Sequence, residues 1–367
     1  MDFAFTEEQT TITKVARELF GHRVTTERLT ELEADGAGHD ATLWSDLAKA
    51  DLLGIALPEA VGGSGGGFLE LGLLLAEVGY AVAPAPIYST LLLGADPIAR
   101  HGTGAQQQRY LPEVVTGGRL LSAGLMEPGR SDPTVPSTIA RRDGEHWRIE
   151  GAKELVPAGG NAHTVLVPAT TQDGDVGVFL VDVNAGGVDV RPVSTTHHQA
   201  HADLTFDGAV AADRLGTPGV DVVGELYARA LVGLCAVQRG VTERALRLAA
   251  AYTSQREQFG KPIGSFQAVQ QRMADAFVDV ESIRWTTWHA AWLLSEGRPA
   301  LREARIAKFW ASEAGARVAA TAQQVHGGIG IDVTYPLFRY FLWAKHHELA
   351  LGSATSHLAS LGSNYAE

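Results

Sequence analysis

Hydrophobic periodicity changes twice along this chain, and that switch limits the fold more than any single motif. From Thr6 to about Thr116 apolar residues recur every three or four positions, as in Ile12, Val15, Leu19 and Phe20, and again in Leu69, Leu73, Ala76 and Tyr80 after the GGSGGG loop at 62–67. Thr6 followed by Gln9 has the form of a helix cap. Between Gly118 and Asp213 the period drops to two: Trp147 and Ile149, Val165 and Val167, then Phe179, Val181 and Val183 alternate with small or polar residues between Asp-Gly and Gly-Gly turns. From Gly224 the helical period returns through Leu231, Leu234, Val237, Val241, Ala245, Leu248 and Tyr252, then through Val269, Met273, Phe277, Val280 and Ile283 to a stop at Gly297. Further helices are expected over Ala300 to Val325 and from about Tyr335 to Leu349. The class is α+β: an N-terminal all-α domain (1–117), a middle antiparallel β-domain (118–220) and a C-terminal four-helix bundle (221–367). No βαβ alternation occurs and no GxGxxG follows a strand, so a Rossmann sheet is excluded.

Charge narrows the partners. The 367 residues carry 30 Lys and Arg against 42 Asp and Glu, a net charge of -12, with no basic stripe, which argues against nucleic acid and anionic membranes. Cys235 is the single cysteine, so no disulfide within the chain and no thiolate metal cluster is available. The start MDFAFTEEQT lacks the basic and apolar regions of a secretory signal, and the apolar stretch Leu69 to Leu93 is broken by Glu77, Pro84 and Pro86. A soluble cytoplasmic protein is expected.

The stretch REQFGKPIGSFQAVQ (256–270) separates two long helices. Arg256 offers a planar fork suited to phosphate or carboxylate, Phe259 and Phe266 offer apolar faces, and Gln267 opens a helix whose first amides favour an anion. By itself such a stretch reads first as a plain helix-helix corner made by Gly260 and Pro262, with Arg256 solvated. QVHGGIG (324–330) changes the balance: Gln324, Val325 and His326 lead into Gly327 and Gly328, which permit close backbone approach to a ligand at a helix end. A charged link between flat groups, as in a dinucleotide cofactor, suits the pair of motifs.

RxQFGKPI with its following Gln, and QxxGGxGxxxxYP (324–336), resemble two C-terminal motifs of the acyl-CoA dehydrogenase family. The likeness runs over nearly the whole chain: the domain order matches, LPEAVGGSGGG (57–67) is similar to the family's Pro-Glu-x-x-Gly-Gly-Ser-Gly loop, and QRYLPEVVTG (108–117) to its helix-ending signature. The resemblance implies FAD at a subunit interface, α,β-dehydrogenation of an acyl-CoA substrate, tetrameric assembly and electron-transfer flavoprotein as electron acceptor. It also implies that Arg256, Phe259, Phe266, Gln267, Gln324, Val325, His326, Gly327 and Gly328 bind the pyrophosphate and adenosine end of a flavin whose ring lies in a neighbouring subunit.

The chain departs from the family where the chemistry is done. The reaction needs a carboxylate to remove the α-proton, and in the commonest members it stands fifteen residues after the YP motif; here that position is Leu351, before Gly352 and Ser353. Other members carry the base about twenty-six residues before the matched Arg, which here is Ala230, beside Leu231. Neither takes a proton. The nearest carboxylates, Glu225 and Glu348, are a helical turn or more out of register. The family's Thr-Glu-Pro-x-x-Gly-Ser-Asp loop is shortened to MEPGRSD (126–132), its Trp-x-Thr segment aligns with Leu155, Val156 and Pro157, and its Thr-x-Gln is Ser353, Ala354 and Thr355.

An intact adenosine half beside a degenerate ring half resembles the subunit without a base in α2β2 heterotetrameric acyl-CoA dehydrogenases that act on steroid side chains in bacteria. Two alternatives stand: a self-sufficient homotetramer using Glu225 or Glu348 as base, and a scaffold or CoA-ester binder without flavin. His197, His198, His201 and Asp203 lack zinc spacing and precede an alternating strand, so a loop is expected there and no metal. Cys235 reads as a core residue, and His346 and His347 as complements to a helix dipole.

Overall fold

The computed structural model describes residues 4–130 and 132–363. In chain order the elements are α1 (Glu7–Arg23), α2 (Thr26–Asp35), α3 (Ala41–Lys49), α4 (Phe68–Ala81), a π-helix (Tyr88–Ala95), α5 (Asp96–His101) and α6 (Gly104–Val115). Seven strands follow: β1 (Leu121–Ala123), β2 (Ile139–Asp143), β3 (His146–Pro157), β4 (Thr164–Thr171), β5 (Val176–Asp182), β6 (Val188–Val193) and β7 (His201–Leu215). Then come α7 (Val222–Gln255), the two-residue strands β8 (Glu257–Gln258) and β9 (Lys261–Pro262), α8 (Gln267–Ser295), α9 (Leu301–His326), α10 (Leu337–Leu349) and α11 (Ala354–Ser363). The helix, strand, helix order is the one periodicity predicts. The expected cap forms at α1, where Thr6 accepts from the Gln9 amide while the Gln9 side chain accepts from that of Thr6.

Contacts gather the chain into two units. The first comprises Met1–Glu31, Gly72–Ala83 and Leu231–Glu367. Here α4 and α7 meet backbone to backbone: a Cβ on Gly79 would lie 1.9 Å from the Val237 carbonyl oxygen, and one on Gly240 1.9 Å from that of Ala76. Arg17 grips Glu77 with two bonds of 2.7 Å, and the Tyr340 hydroxyl donates to the Tyr80 carbonyl at 2.9 Å, tying α1, α4 and α10 together. The expected stripe on α7 is buried from Leu231 to Ala245. On α8 the outcome differs: the buried line runs through Ala276, Val280, Ile283, Thr287 and Ala290, and Phe277 is 57% exposed. Helix α11 carries no strong periodic signal and extends the expected set.

The second unit comprises Leu32–Leu71 and Pro84–Ala230 and contains the sheet. Strand order is β1-β4-β2-β3-β7-β5, and β4 also pairs with β5, closing the sheet on itself. The pairings are mainly antiparallel as expected; β4 adds parallel pairings to β1 and β2. Ile149, Val165, Val167, Phe179, Val181 and Val183 fill its interior, with Trp147 packed against them. Strand β4 is buried on both faces, which removes the alternation there.

Candidate cofactor-binding site

Helix α7 ends at Gln255, one residue before Arg256. Strands β8 and β9 pair as a hairpin whose two loop residues, Phe259 (φ 53°) and Gly260 (φ 76°), both take the left-handed conformation. That geometry belongs to a tight hairpin turn, and a phenylalanine there is strained. Phe259 is 92% exposed, so nothing in its own chain repays the strain. It meets Phe266 edge to face with centroids 6.2 Å apart, and the Lys261 ammonium lies 4.6 Å from the Phe266 ring centre. Phe266 is the N-cap of α8 and offers no side-chain acceptor to the free first-turn amides. Arg256, Gln267 and Gln324 are exposed, and among the described residues their side chains have no hydrogen-bond or ionic partner.

Sixty-eight positions further on, α9 delivers the second motif to the same place. Tyr252, in the last turn of α7, stacks on His326 with centroids 4.4 Å apart and planes 21° apart. His326 is buried, its Nδ1 is 2.8 Å from the Ala322 carbonyl oxygen and its Nε2 3.1 Å from the Tyr335 hydroxyl. Its ring is therefore bonded within the chain, and its backbone leads into the diglycine. Val325 is half-buried, and Gly327 (φ 63°) ends the helix and leads into an exposed 3-10 turn (Gly327–Ile331). A Cβ on Gly327 or Gly328 would meet nothing within 4 Å, so the backbone there is open to approach. A guanidinium, a lysine, uncapped helix amides, two aromatic faces and an open diglycine fit a pyrophosphate flanked by flat groups.

Leu351 and Ala230, the two positions that the resemblance matches to a base, carry no ionisable side chain, and buried polar groups near them are paired within the chain. Leu351 (φ 54°) sits in the turn after α10. The Lys308 ammonium is buried behind that turn, within bonding distance of the Ser312 hydroxyl (2.7 Å) and the carbonyls of Gly352 (2.9 Å), His347 (3.0 Å) and Glu348 (3.3 Å). Burial lowers its pKa to about 8. His357 Nε2 is 3.0 Å from the Leu351 carbonyl oxygen, and burial, with repulsion from Lys308, brings that imidazole to about 4. Sequence reasoning missed Lys308, although its place between Ala304 and Ala311 on the buried stripe of α9 was a signal. Glu348 pairs with Lys345 at 2.6 Å.

In the second unit Ala230 is wholly buried, and its carbonyl accepts from the Tyr88 hydroxyl at 3.1 Å. Glu225 is bound by Arg100, His101 and Arg229. Burial pushes its carboxyl up, but these cationic and donor groups outweigh that and hold it at about 2. A carboxylate so stabilised is a poor proton acceptor near neutral pH.

Of the MEPGRSD loop, Ser131 lies outside the described residues. Glu127 is buried and binds Lys153 at 2.6 Å together with Ser137 and Thr138. Burial opposes its ionisation, yet Lys153 and the hydroxyls bring it to about 2. Leu155 (φ 50°) is half exposed and gives its amide to Asp203 at 2.9 Å. Leu155, Val156 and Pro157 offer a flavin ring no side-chain donor. His197 and His201 bond within their own loop, to Thr195 and Gln199. Cys235 is buried, which pushes its thiol to about 12. No helix among the described residues is long and apolar enough to cross a membrane.

Three family models cover the chain: Acyl-CoA dehydrogenase, N-terminal domain at residues 6–118, middle domain at 123–209 and C-terminal domain at 219–365. Acyl-CoA dehydrogenase FadE27 of Mycobacterium tuberculosis (strain ATCC 25618 / H37Rv) is 38% identical, over 100% of this chain and 99% of its own. The Tcur3481-Tcur3483 steroid ACAD variant superposes with a TM-score of 0.94 at 42% identity, covering 98% of each chain. The ChsE4-ChsE5 complex from Mycobacterium tuberculosis gives 0.94 at 38% identity, covering 100% of this chain and 99% of that one. With three matched domains and the same fold, the chain belongs to the acyl-CoA dehydrogenase family of FAD-dependent oxidoreductases.

Proposed function

We propose that this chain is the subunit without a base in a heteromeric acyl-CoA dehydrogenase, and that it completes an FAD site whose ring and catalytic carboxylate belong to a second acyl-CoA dehydrogenase-type subunit. The observation that carries the reading is the pairing of inert base positions, Leu351 and Ala230, with a polar face around Arg256 that has no partners within the described chain. Bound FAD supplies the acceptor for the substrate β-hydride. The residues of this chain act at the other end of the cofactor. Arg256 offers a bidentate charge to the pyrophosphate, the α8 amides add donors, and Phe259 and Phe266 shield that contact from water. Held at its nucleotide end by these residues, FAD would have its ring oriented toward the partner subunit, whose carboxylate would take the α-proton.

The same proposal includes an α2β2 assembly, domains at 1–117, 118–220 and 221–367, a cytoplasmic location and electron-transfer flavoprotein as electron acceptor. Its substrate is a steroid side-chain CoA thioester, supported by likeness to a steroid ACAD complex. Self-sufficiency through Glu225 is disfavoured by the three groups that hold that carboxylate.

Co-expression with a second acyl-CoA dehydrogenase-type chain that carries a carboxylate at the base position tests it. The chain alone is expected to purify colourless and inactive, and the complex yellow, with one FAD per two chains. Turnover by the chain alone overturns the proposal.

A further inference from the structure

We propose that His326 is a positioning residue that locks the Arg256 turn and the Gly327-Gly328 turn into one rigid cofactor-binding face. The inference rests on the reading of that face as the FAD nucleotide site, and concerns a side chain that does not touch the cofactor. The two motifs follow different helices, α7 and α9, and each continues into a turn, the hairpin at 257–262 and the 3-10 turn Gly327–Ile331. His326 is where they are fastened. Its ring stacks on Tyr252, four residues before Arg256, at 4.4 Å. The same ring is two residues after Gln324 and directly precedes the diglycine.

The hydrogen bonds fix the ring's chemistry. Nδ1 faces the Ala322 carbonyl oxygen at 2.8 Å, which only accepts, so Nδ1 carries the proton. Nε2 is then the acceptor for the Tyr335 hydroxyl at 3.1 Å. Tyr335 in turn lies just beyond the 3-10 turn (Gly327–Ile331), so one neutral imidazole pins the start and the end of that turn. The groups facing the ring are the Tyr252 ring from α7, the Ala322 carbonyl from its own helix and the Tyr335 hydroxyl; Arg244 from α7 interacts with Tyr335. No carboxylate is among these groups. Protonation at Nε2 replaces the acceptor that Tyr335 uses, and the clamp weakens.

The test measures FAD affinity of the co-expressed complex by flavin fluorescence after stripping and reloading, at pH 7.5 and at pH 5.5. Burial holds the His326 imidazole below its ordinary value, so wild type is expected to lose only part of its FAD affinity at the lower pH. His326→Gln keeps a non-titrating amide near Nε2 but loses the ring stack on Tyr252, and is expected to bind FAD less tightly than wild type at pH 7.5 with no further loss at pH 5.5. Tyr335→Phe is expected to weaken binding about threefold to tenfold, the value of one neutral hydrogen bond. His326→Ala is expected to weaken binding more than Tyr335→Phe. A His326→Ala complex, or, should it not assemble, a Tyr335→Phe complex, that binds FAD like wild type overturns the inference, as does a His326→Gln complex that keeps the full loss at pH 5.5. A wild-type complex that binds no FAD at all overturns the functional reading beneath it.

Discussion

Around Arg256 the polar groups are left open, whereas behind the Leu351 turn the buried polar groups are paired within the chain. At the first place an arginine, two glutamines and uncapped helix amides face outward beside a strained, 92% exposed phenylalanine. At the second, a buried ammonium meets three backbone carbonyls and a hydroxyl, and an imidazole holds a fourth carbonyl. Unpaired donors and strain persist where something outside the chain supplies the return. Saturated donors signal a region whose task is to hold its own shape. The Glu127 and Lys153 pair belongs with the second kind, a buried ion pair with hydroxyl support.

If that contrast is right, the inward-turned places govern stability and the open face governs FAD, and the two separate by mutation. The largest effect is expected from Glu127→Gln, which strips the buried Lys153 of its counter-charge; unfolding in urea should show a loss of about 3–5 kcal/mol. The pH dependence follows with its sign. Glu127 is held at about 2, below the ordinary carboxylate value, so its contribution is complete above roughly pH 4.5 and is lost as the pH falls toward about 2. Urea midpoints measured from pH 5 to pH 2.5 should fall more steeply for wild type than for Glu127→Gln. Equal slopes contradict the assignment.

Lys308→Met is next. It leaves buried carbonyls without their donor, and a loss of about 3 kcal/mol is expected by the same measurement, with FAD affinity of any assembled complex unchanged. Arg256→Ala should do the reverse: unfolding midpoints stay put, while FAD binds the complex roughly tenfold to a hundredfold less tightly, as one charge-assisted contact predicts. A large drop in stability in that variant would blur the distinction. The smallest effect belongs to Leu351→Glu, for which acyl-CoA turnover by the chain alone should remain undetectable, because Leu155, Val156 and Pro157 present no donor to a flavin ring. Measurable turnover would show that the carboxylate was the only part missing.

Much of this was legible in the sequence. The two changes of period gave the helical, β, helical order, and the cap at Thr6 and the stop at Gly297 fell where turn chemistry put them. The motifs around 256–267 and 324–328, picked out by type and spacing, lie against each other through the stack of Tyr252 on His326. The stripe on α8 failed at Phe277, because periodicity marks an apolar face without saying whether this chain or another covers it. The hairpin at 257–262 was hidden, since a two-residue strand has no period. The bonding of the His326 ring within the chain was equally hidden, since its partners Tyr252 and Tyr335 lie outside its own helix.

What the sequence determined by itself is whatever depends on neighbours within a turn or two: element type, caps, the glycines that open a backbone and the absence of an acid at Leu351 and Ala230. The tertiary structure alone decided which groups found partners. A hydrogen bond or a ring stack between residues tens of positions apart depends on how helices pack, so only the fold could turn His326 and Lys308 inward and leave Arg256 unpaired on the surface.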